Sequence, residues 1–143
     1  MSSISKDFGD DLQQAVNESE EAVYSKKVME YALKPVNVGR MNTPDGSAHD
    51  TGICGDSMEI YLQVEDKTIV EARFFSSGCG VTFACGSAVT KLVKGRHIQH
   101  ALDISPGDII DELDELPDEN IHCAILAAST LHKAIADYLR RQI

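Results

Sequence analysis

From residue 58 onward, apolar and polar positions alternate one by one. Met58, Ile60, Leu62 and Val64 are interleaved with Glu59, Gln63 and Glu65, the period of a strand with one buried face. Asp66-Lys67 is a candidate tight turn, and Val70, Ala72 and Phe74 then alternate with Glu71 and Arg73 as a returning strand. After Gly80 the period lengthens. Val81, Cys85, Ala88 and Leu92 share one stripe of a helix that runs to about Lys94, with Gly95 as its stop. A longer helix is predicted over 121–141. Its apolar face is Ile121, Ala124, Ile125, Ala128, Leu131, Ile135, Tyr138 and Leu139, and its wet face Ser129, Lys133, Asp137 and Arg140.

The remaining segments are less regular. A helix is predicted from Glu18, with Glu20 and Glu21 early and Lys26 and Lys27 later, as the helix dipole prefers. Val23, Val28, Tyr31 and Ala32 share its apolar face, and Lys34-Pro35 ends it. Residues 35–57 are punctuated by Pro35, Gly39, Pro44, Gly46, Gly52 and Gly55 and read as loop with room for one short strand. Residues 96–116 hold two short helical pieces around Ser105-Pro106-Gly107, with Ser105 as N-cap and Pro106 in the first turn. Residues 1–17 keep no strong period beyond Phe8, Leu12 and Val16, and read as a flexible or weakly helical extension. Residues 18–143 form the single domain. A strand hairpin among helices, without βαβ alternation, places the fold class as α+β, an antiparallel sheet packed by helices with a long C-terminal helix.

Composition narrows the function. The chain has 143 residues, enough for one core, and no apolar stretch of bilayer length. The acidic start (Asp7, Asp10, Asp11, Glu18, Glu20, Glu21) is unlike a secretory signal or a transit peptide, which points to a cytoplasmic protein without a membrane role. A net charge of −10 repels phosphate backbones and counts against nucleic-acid partners. It serves solubility and suits encounters with basic protein surfaces. Four cysteines in a reducing compartment do not read as a disulfide framework.

Three of those cysteines share a kind of place. Cys54 stands in Gly52-Ile53-Cys54-Gly55-Asp56 just before the first strand, and Cys79 in Gly78-Cys79-Gly80 between strand and helix. Cys123 lies in the first turn of the last helix, after His122. Exposed thiols at element ends can converge, and flanking glycines leave room for a bulky metal centre. A helix N-terminus favours the thiolate, so Cys79 and Cys123 are expected to ionise readily. Three thiolates leave one tetrahedral position, which Asp56 or His122 could fill. A carboxylate or imidazole exchanges more easily than a fourth thiolate, which suits a centre that must be given away.

A single cysteine is more often a small buried hydrophobe than a ligand, and Cys85, on the apolar stripe of its helix, is read that way. His49, His97, His100 and His132 read as solvated surface histidines, and Asp111, Glu112, Asp114 and Glu115 as a wet helix face. Beside a metal centre that is built on the thiolates and given away, two rival readings stand. One is a zinc-binding protein with a Cys₃His or Cys₃Asp site acting as sulfur acceptor or regulator. The other is a thiol enzyme pairing Cys123 with a histidine. The second is disfavoured for His122, because sequence neighbours on a helix do not face each other.

From Tyr24 to Tyr138 the chain resembles the IscU-type scaffolds of iron–sulfur cluster assembly, also found as the N-terminal domain of NifU. The resemblance rests on Tyr24 to Val28, Pro35 to Gly39, Cys54-Gly55-Asp56, Phe74 to Gly80 and Val93-Lys94-Gly95. Leu116-Pro117 with His122-Cys123, and Ala134 to Tyr138, complete it. It implies a sheet of usually three strands and a carrier that is not itself an enzyme. Such a carrier takes sulfur from a cysteine desulfurase, assembles a [2Fe–2S] cluster from iron, and passes it to recipient apoproteins. It implies that Cys54, Cys79 and Cys123 bind cluster and sulfur, that Asp56 keeps the cluster labile and that His122 assists. Zinc often occupies the same site in such scaffolds. Three departures stand out. Leu116-Pro117-Asp118-Glu119-Asn120 is acidic where the family carries an apolar and basic tag, which counts against an Hsp70-type chaperone partner. Asn120 replaces a lysine, and Cys85 replaces a small residue. The long N-terminal extension leaves room for docking or a homodimer.

Overall fold

The computed structural model describes residues 24–143. The expected helix start at Glu18, the extension over 1–17 and Val23 lie outside the described residues. Helix α1, Lys26–Leu33, begins where Ser25 accepts a hydrogen bond from Val28 N–H at 3.0 Å. Val28, Tyr31 and Ala32 are its buried face, as expected. The Ser25 hydroxyl also donates to the Leu113 carbonyl at 2.5 Å, so the cap ties α1 to a distant part of the chain.

Strands β1 (Gly46–Thr51), β2 (Ser57–Glu65) and β3 (Thr68–Ser76) form one antiparallel sheet in chain order. Between β2 and β3, Asp66 and Lys67 both have positive φ, 53° and 65°, the backbone of a two-residue hairpin turn. Met58, Ile60 and Leu62 of β2 and Ala72 and Phe74 of β3 are fully buried. One position departs from the simple alternation. Gln63 pairs with Glu71 and Val64 with Ile69, so Val70 is an extra residue, a bulge. It turns Val70 out to solvent and puts Ile69, fully buried, in the inward place. The free edge of β3 is covered by 37–39, where Phe74 N–H donates to the Asn37 carbonyl and Gly39 N–H to the Phe74 carbonyl.

Strand β1 has no large apolar side chain facing inward. Gly46, Ala48 and Asp50 alternate there, because helix α5 (Ile121–Arg141) passes very close. A Cβ on Gly46 would lie 2.6 Å from the Ala134 carbonyl oxygen and 2.8 Å from Tyr138 Cβ. Asp50 reaches the helix instead, accepting from Ser129 at 2.8 Å and pairing with Lys133 at 3.0 Å. Two residues read as part of the apolar face of α5, Ile125 and Leu139, are exposed, being at the margins of its buried arc.

Helix α2, Gly80–Val93, packs on β3 through its apolar stripe, and Gly95 with φ +86° lets the chain turn away after it. Helices α3 (Ile98–Ala101) and α4 (Pro106–Glu112) follow, and Ser105 caps α4 in a reciprocal bond with Asp108. A 3₁₀ turn, Asp118–Asn120, leads into α5. The histidines are not uniformly solvated. His97 caps α3 by accepting from Gln99 N–H, and the half-buried His132 contacts the Ile104 carbonyl at 2.8 Å. Of the acidic run, Glu112 is half-buried between Lys27 (3.6 Å) and Lys91 (3.4 Å), bridging α4 to α1 and α2. No helix among the described residues is long and apolar enough to cross a membrane.

The tightest contact between helix and sheet is at Gly86, where an added Cβ would lie 2.3 Å from the Phe74 ring. Gly86→Ala gains up to about 1 kcal/mol of helix propensity. It also overpacks a fully buried ring, which typically costs about 1–3 kcal/mol and more where nothing can yield. The expected outcome is a net loss of about 2 kcal/mol in urea unfolding, and an unchanged midpoint would show that Phe74 can move aside.

Candidate metal centre

The end of β3 and the start of β2 are laced together, and this fixes where the first two ligand candidates meet. The Ser57 carbonyl accepts from Ser77 N–H at 3.2 Å and from the Ser76 hydroxyl at 2.8 Å, and Ser57 N–H donates back to the Ser77 hydroxyl at 3.2 Å. Gly78 N–H donates to the Ser76 hydroxyl at 2.9 Å. Asp56, just before β2, is thereby held beside Cys79, just before α2.

Cys79 occupies the N-cap position of α2 in extended backbone, and its side chain makes no capping bond. It is exposed and free to bind elsewhere. Cys54 is also exposed, on a turn closed by Gly55 N–H to the Gly52 carbonyl (3.0 Å) and Gly52 N–H to the Asp56 carbonyl (2.8 Å). Gly55 there has φ +92°, which favours glycine. Cys123, third residue of α5, is only 2% exposed.

A fully buried hydroxyl that sequence reasoning did not single out joins these elements. Thr82 Oγ1 donates to Asp56 Oδ2 at 3.0 Å and lies 3.8 Å from Cys79 Sγ and 3.7 Å from Cys123 Sγ. Its spacing was a usable signal, since a residue three after a helix-starting cysteine shares that cysteine's side. Gly78 is what permits the approach. A Cβ there would stand 2.6 Å from Thr82 Oγ1 and 2.9 Å from Asp56 Oδ2.

The electrostatics correct one expectation. Placement at a helix start does not make Cys123 a ready thiolate. Burial is the main cause that pushes its thiol up to about 11; a hydrogen bond with Thr82 works against it, and the charges of Cys79, Cys54 and Asp56 work with it. Cys85 is fully buried, as its place on the apolar stripe predicts, and burial holds its thiol well above the usual range. Tyr24 is also drawn in. Burial raises its phenol, and so do Glu119, Cys79 and Cys123.

His122 is placed differently. Adjacent to Cys123 on the helix, it lines a hollow of about 230 Å³ with Asp50, Thr51, Gly52, Ile53, Ile125, Leu126 and Ser129. The groups that act on Cys123 are Thr82, Cys79, Cys54 and Asp56. Thus the structure brings together Cys79, Cys123 and Asp56 around Thr82, with Cys54 within electrostatic reach, and sets His122 beside the Gly52-Ile53 turn. Among the described residues no three His, Cys, Asp or Glu side chains are yet gathered tightly enough to hold a metal ion. The donor chemistry nonetheless suits one, because soft thiolates with a carboxylate or imidazole match iron and zinc.

The raised thiol makes stability depend on pH. In the unfolded chain the Cys123 thiol loses its proton near its ordinary 9.0, and in the fold at about 11. Its contribution to stability is complete below 9.0 and is lost as pH rises through about 11. Cys85 acts in the same sense. Urea unfolding of the metal-free protein should therefore show falling stability across that window, with a shallower fall in Cys123→Ser. Equal slopes in the two proteins would mean that Cys123 is not held protonated.

Comparison with known proteins places the chain in a family. The family model described as "NifU-like N terminal domain" matches residues 23–143. The chain is 41% identical over 122 residues to the iron–sulfur cluster assembly scaffold protein IscU of Aquifex aeolicus, covering 83% of this chain and 78% of that one. It is 42% identical over 120 residues to the IscU of Escherichia coli K12, covering 80% and 93%. Two solved structures share the fold. An iron–sulfur cluster assembly scaffold of the SUF system from Fervidobacterium islandicum AW-1 has a TM-score of 0.66 at 20% identity, covering 78% of this chain and 96% of that one. A NifU-like N-terminal protein from Brucella abortus has a TM-score of 0.67 at 17% identity, covering 85% and 98%. With its sheet, its helices and its three separated cysteines, the chain belongs to the NifU-like N-terminal domain family of IscU-type proteins.

Proposed function

We propose that this protein is a scaffold on which a [2Fe–2S] cluster is assembled and from which it is handed on. The observation that carries the reading is the meeting of Cys79, Cys123 and Asp56 at Thr82, with Cys54 on an open turn beside them. The cluster is cargo. Cys54, Cys79 and Cys123 hold it as thiolates, Asp56 supplies the exchangeable fourth donor, and His122 assists from the next helical position.

Access divides the labour among the thiols. Cys54 and Cys79 are exposed, so sulfur from a cysteine desulfurase meets the chain there. The sulfane sulfur of the donor's persulfide bonds to one of these thiolates, and the donor cysteine leaves as a thiolate. Cys123, buried and protonated, enters when a cation arrives, because metal binding displaces the thiol proton. The Gly52–Asp56 turn carries Cys54 and is exposed at Ile53, Cys54 and Gly55, which leaves that thiol room to move in on the cargo. Recipient apoproteins take the cluster from the same open side. The chain acts as a carrier, and the chemistry of sulfur release belongs to the desulfurase. Zinc suits the same donors, and a colourless zinc form with a role in accepting or regulating sulfur is the alternative reading.

Anaerobic reconstitution with iron and sulfide tests this. The protein should turn brown, and Cys54→Ser, Cys79→Ser and Cys123→Ser should each lose most of the colour while Cys85→Ser keeps it. Asp56→Ala should hold the cluster longer against a chelator, because the exchangeable donor and the path it opens are gone. A Cys85→Ser protein that alone fails to colour, or an Asp56→Ala protein that releases as fast as wild type, would refute this ligand set.

Partner choice is expected to follow charge. Leu116 is buried in the core, and the exposed part of the segment is Asp118-Glu119. A groove that accepts an apolar and basic tag would have to desolvate two carboxylates there. Titration should detect a cysteine desulfurase and no scaffold-specific Hsp70-type chaperone. Chaperone binding that disappears on mutating Leu116 and Pro117 would overturn that expectation.

A further inference from the structure

A threonine hydroxyl has one proton and two lone pairs. At Thr82 the hydroxyl donates to Asp56 Oδ2 at 3.0 Å, and the sulfurs of Cys79 and Cys123 lie 3.8 and 3.7 Å from the same hydroxyl oxygen. The side chain is fully buried in the first turn of α2, between the buried Val81 and Ala84, and cannot swing away without disturbing the helix. The opposite wall is the backbone of Gly78, where even a Cβ would collide with Thr82 Oγ1 and Asp56 Oδ2. One oxygen of Asp56 is therefore committed to the protein, and the other is left for a cation.

We propose that Thr82 is a positioning residue that restricts Asp56 to a single available oxygen and thereby sets how readily the site releases its metal cargo. This rests on the ligand reading above. A carboxylate free to turn can close on a metal with both oxygens, whereas one held by Oδ2 offers only the other, and a one-oxygen donor is displaced more easily by an incoming thiol or chelator. The bland alternative is that Thr82 only fills space, and the two differ in which half of the side chain matters. Thr82→Val keeps the shape and removes the hydroxyl. Thr82→Ser keeps the hydroxyl and removes a methyl group.

The test uses the whole chain reconstituted with iron and sulfide, challenged with EDTA, and followed by loss of visible absorption. Thr82→Val should lose its colour about tenfold more slowly than wild type, the factor that one hydrogen bond to a charged group is worth. Thr82→Ser should match wild type. In an Asp56→Ala background, Thr82→Val should add no further slowing. The same proteins loaded with Co²⁺ give a readout independent of the cluster. Thr82→Val should show weaker d–d bands than wild type as a second carboxylate oxygen raises the coordination number, and Thr82→Ser should not. Release at or above the wild-type rate in Thr82→Val, slow release in Thr82→Ser, or further slowing in the Asp56→Ala background would each overturn the proposal. Full loading of Cys79→Ser and Cys123→Ser would overturn the ligand reading itself, a failure seen before Thr82 is changed.

Discussion

Two helices lie on the sheet at backbone distance, and the site exists because they do. Gly86 lets α2 settle on the Phe74 ring, and Gly46 lets α5 settle on β1, each with no room for a methyl group. Such contacts leave little freedom for a helix to slide or rotate, because interiors packed to crystal-like density resist small displacements. The starts of α2 and α5 are thereby delivered to the same end of the sheet, where the serine lacing between β2 and β3 holds Asp56. Cys79, Cys123 and Asp56 belong to three elements far apart in the chain, yet they meet at one hydroxyl.

The groups so gathered share one electrostatic character. Three thiols and a carboxylate all become negative when they ionise, in a chain whose net charge is already −10. Without a cation, burial and mutual repulsion keep the proton on Cys123. Under the proposed ligand set, a positive cargo would reverse the balance and make binding and deprotonation one event. The same repulsion would favour release once another set of thiolates took over the cargo's charge. A site with a firmer, fully preassembled ligand set would hold metal better and deliver it worse.

The β2–β3 hairpin, the helix after Gly80, the last helix and the N-cap at Ser105 were legible from the chain alone, because each depends on side chains within a few residues of one another. Alternation at Met58 to Leu62 reports a pleat, and the stripe from Val81 to Leu92 reports a helical face. The placement of cysteines at element ends was legible for the same reason. Strand β1 was not, since its inward positions are small or polar only because α5 approaches closely. The bulge at Val70 was hidden too, because register is a property of two strands and not of one.

The sequence by itself determined which thiols stand at element ends, and the match of its motifs carried the family. Only the tertiary structure decided that Cys123 is buried and protonated, that Glu112 bridges two lysines from other helices, and that Thr82 is the hydroxyl between Asp56 and two sulfurs. Burial, ionisation and hydrogen bonding depend on whichever atoms arrive from elsewhere in the chain. Periodicity records only which way a side chain points relative to its neighbours along one element, and says nothing of what will be waiting there.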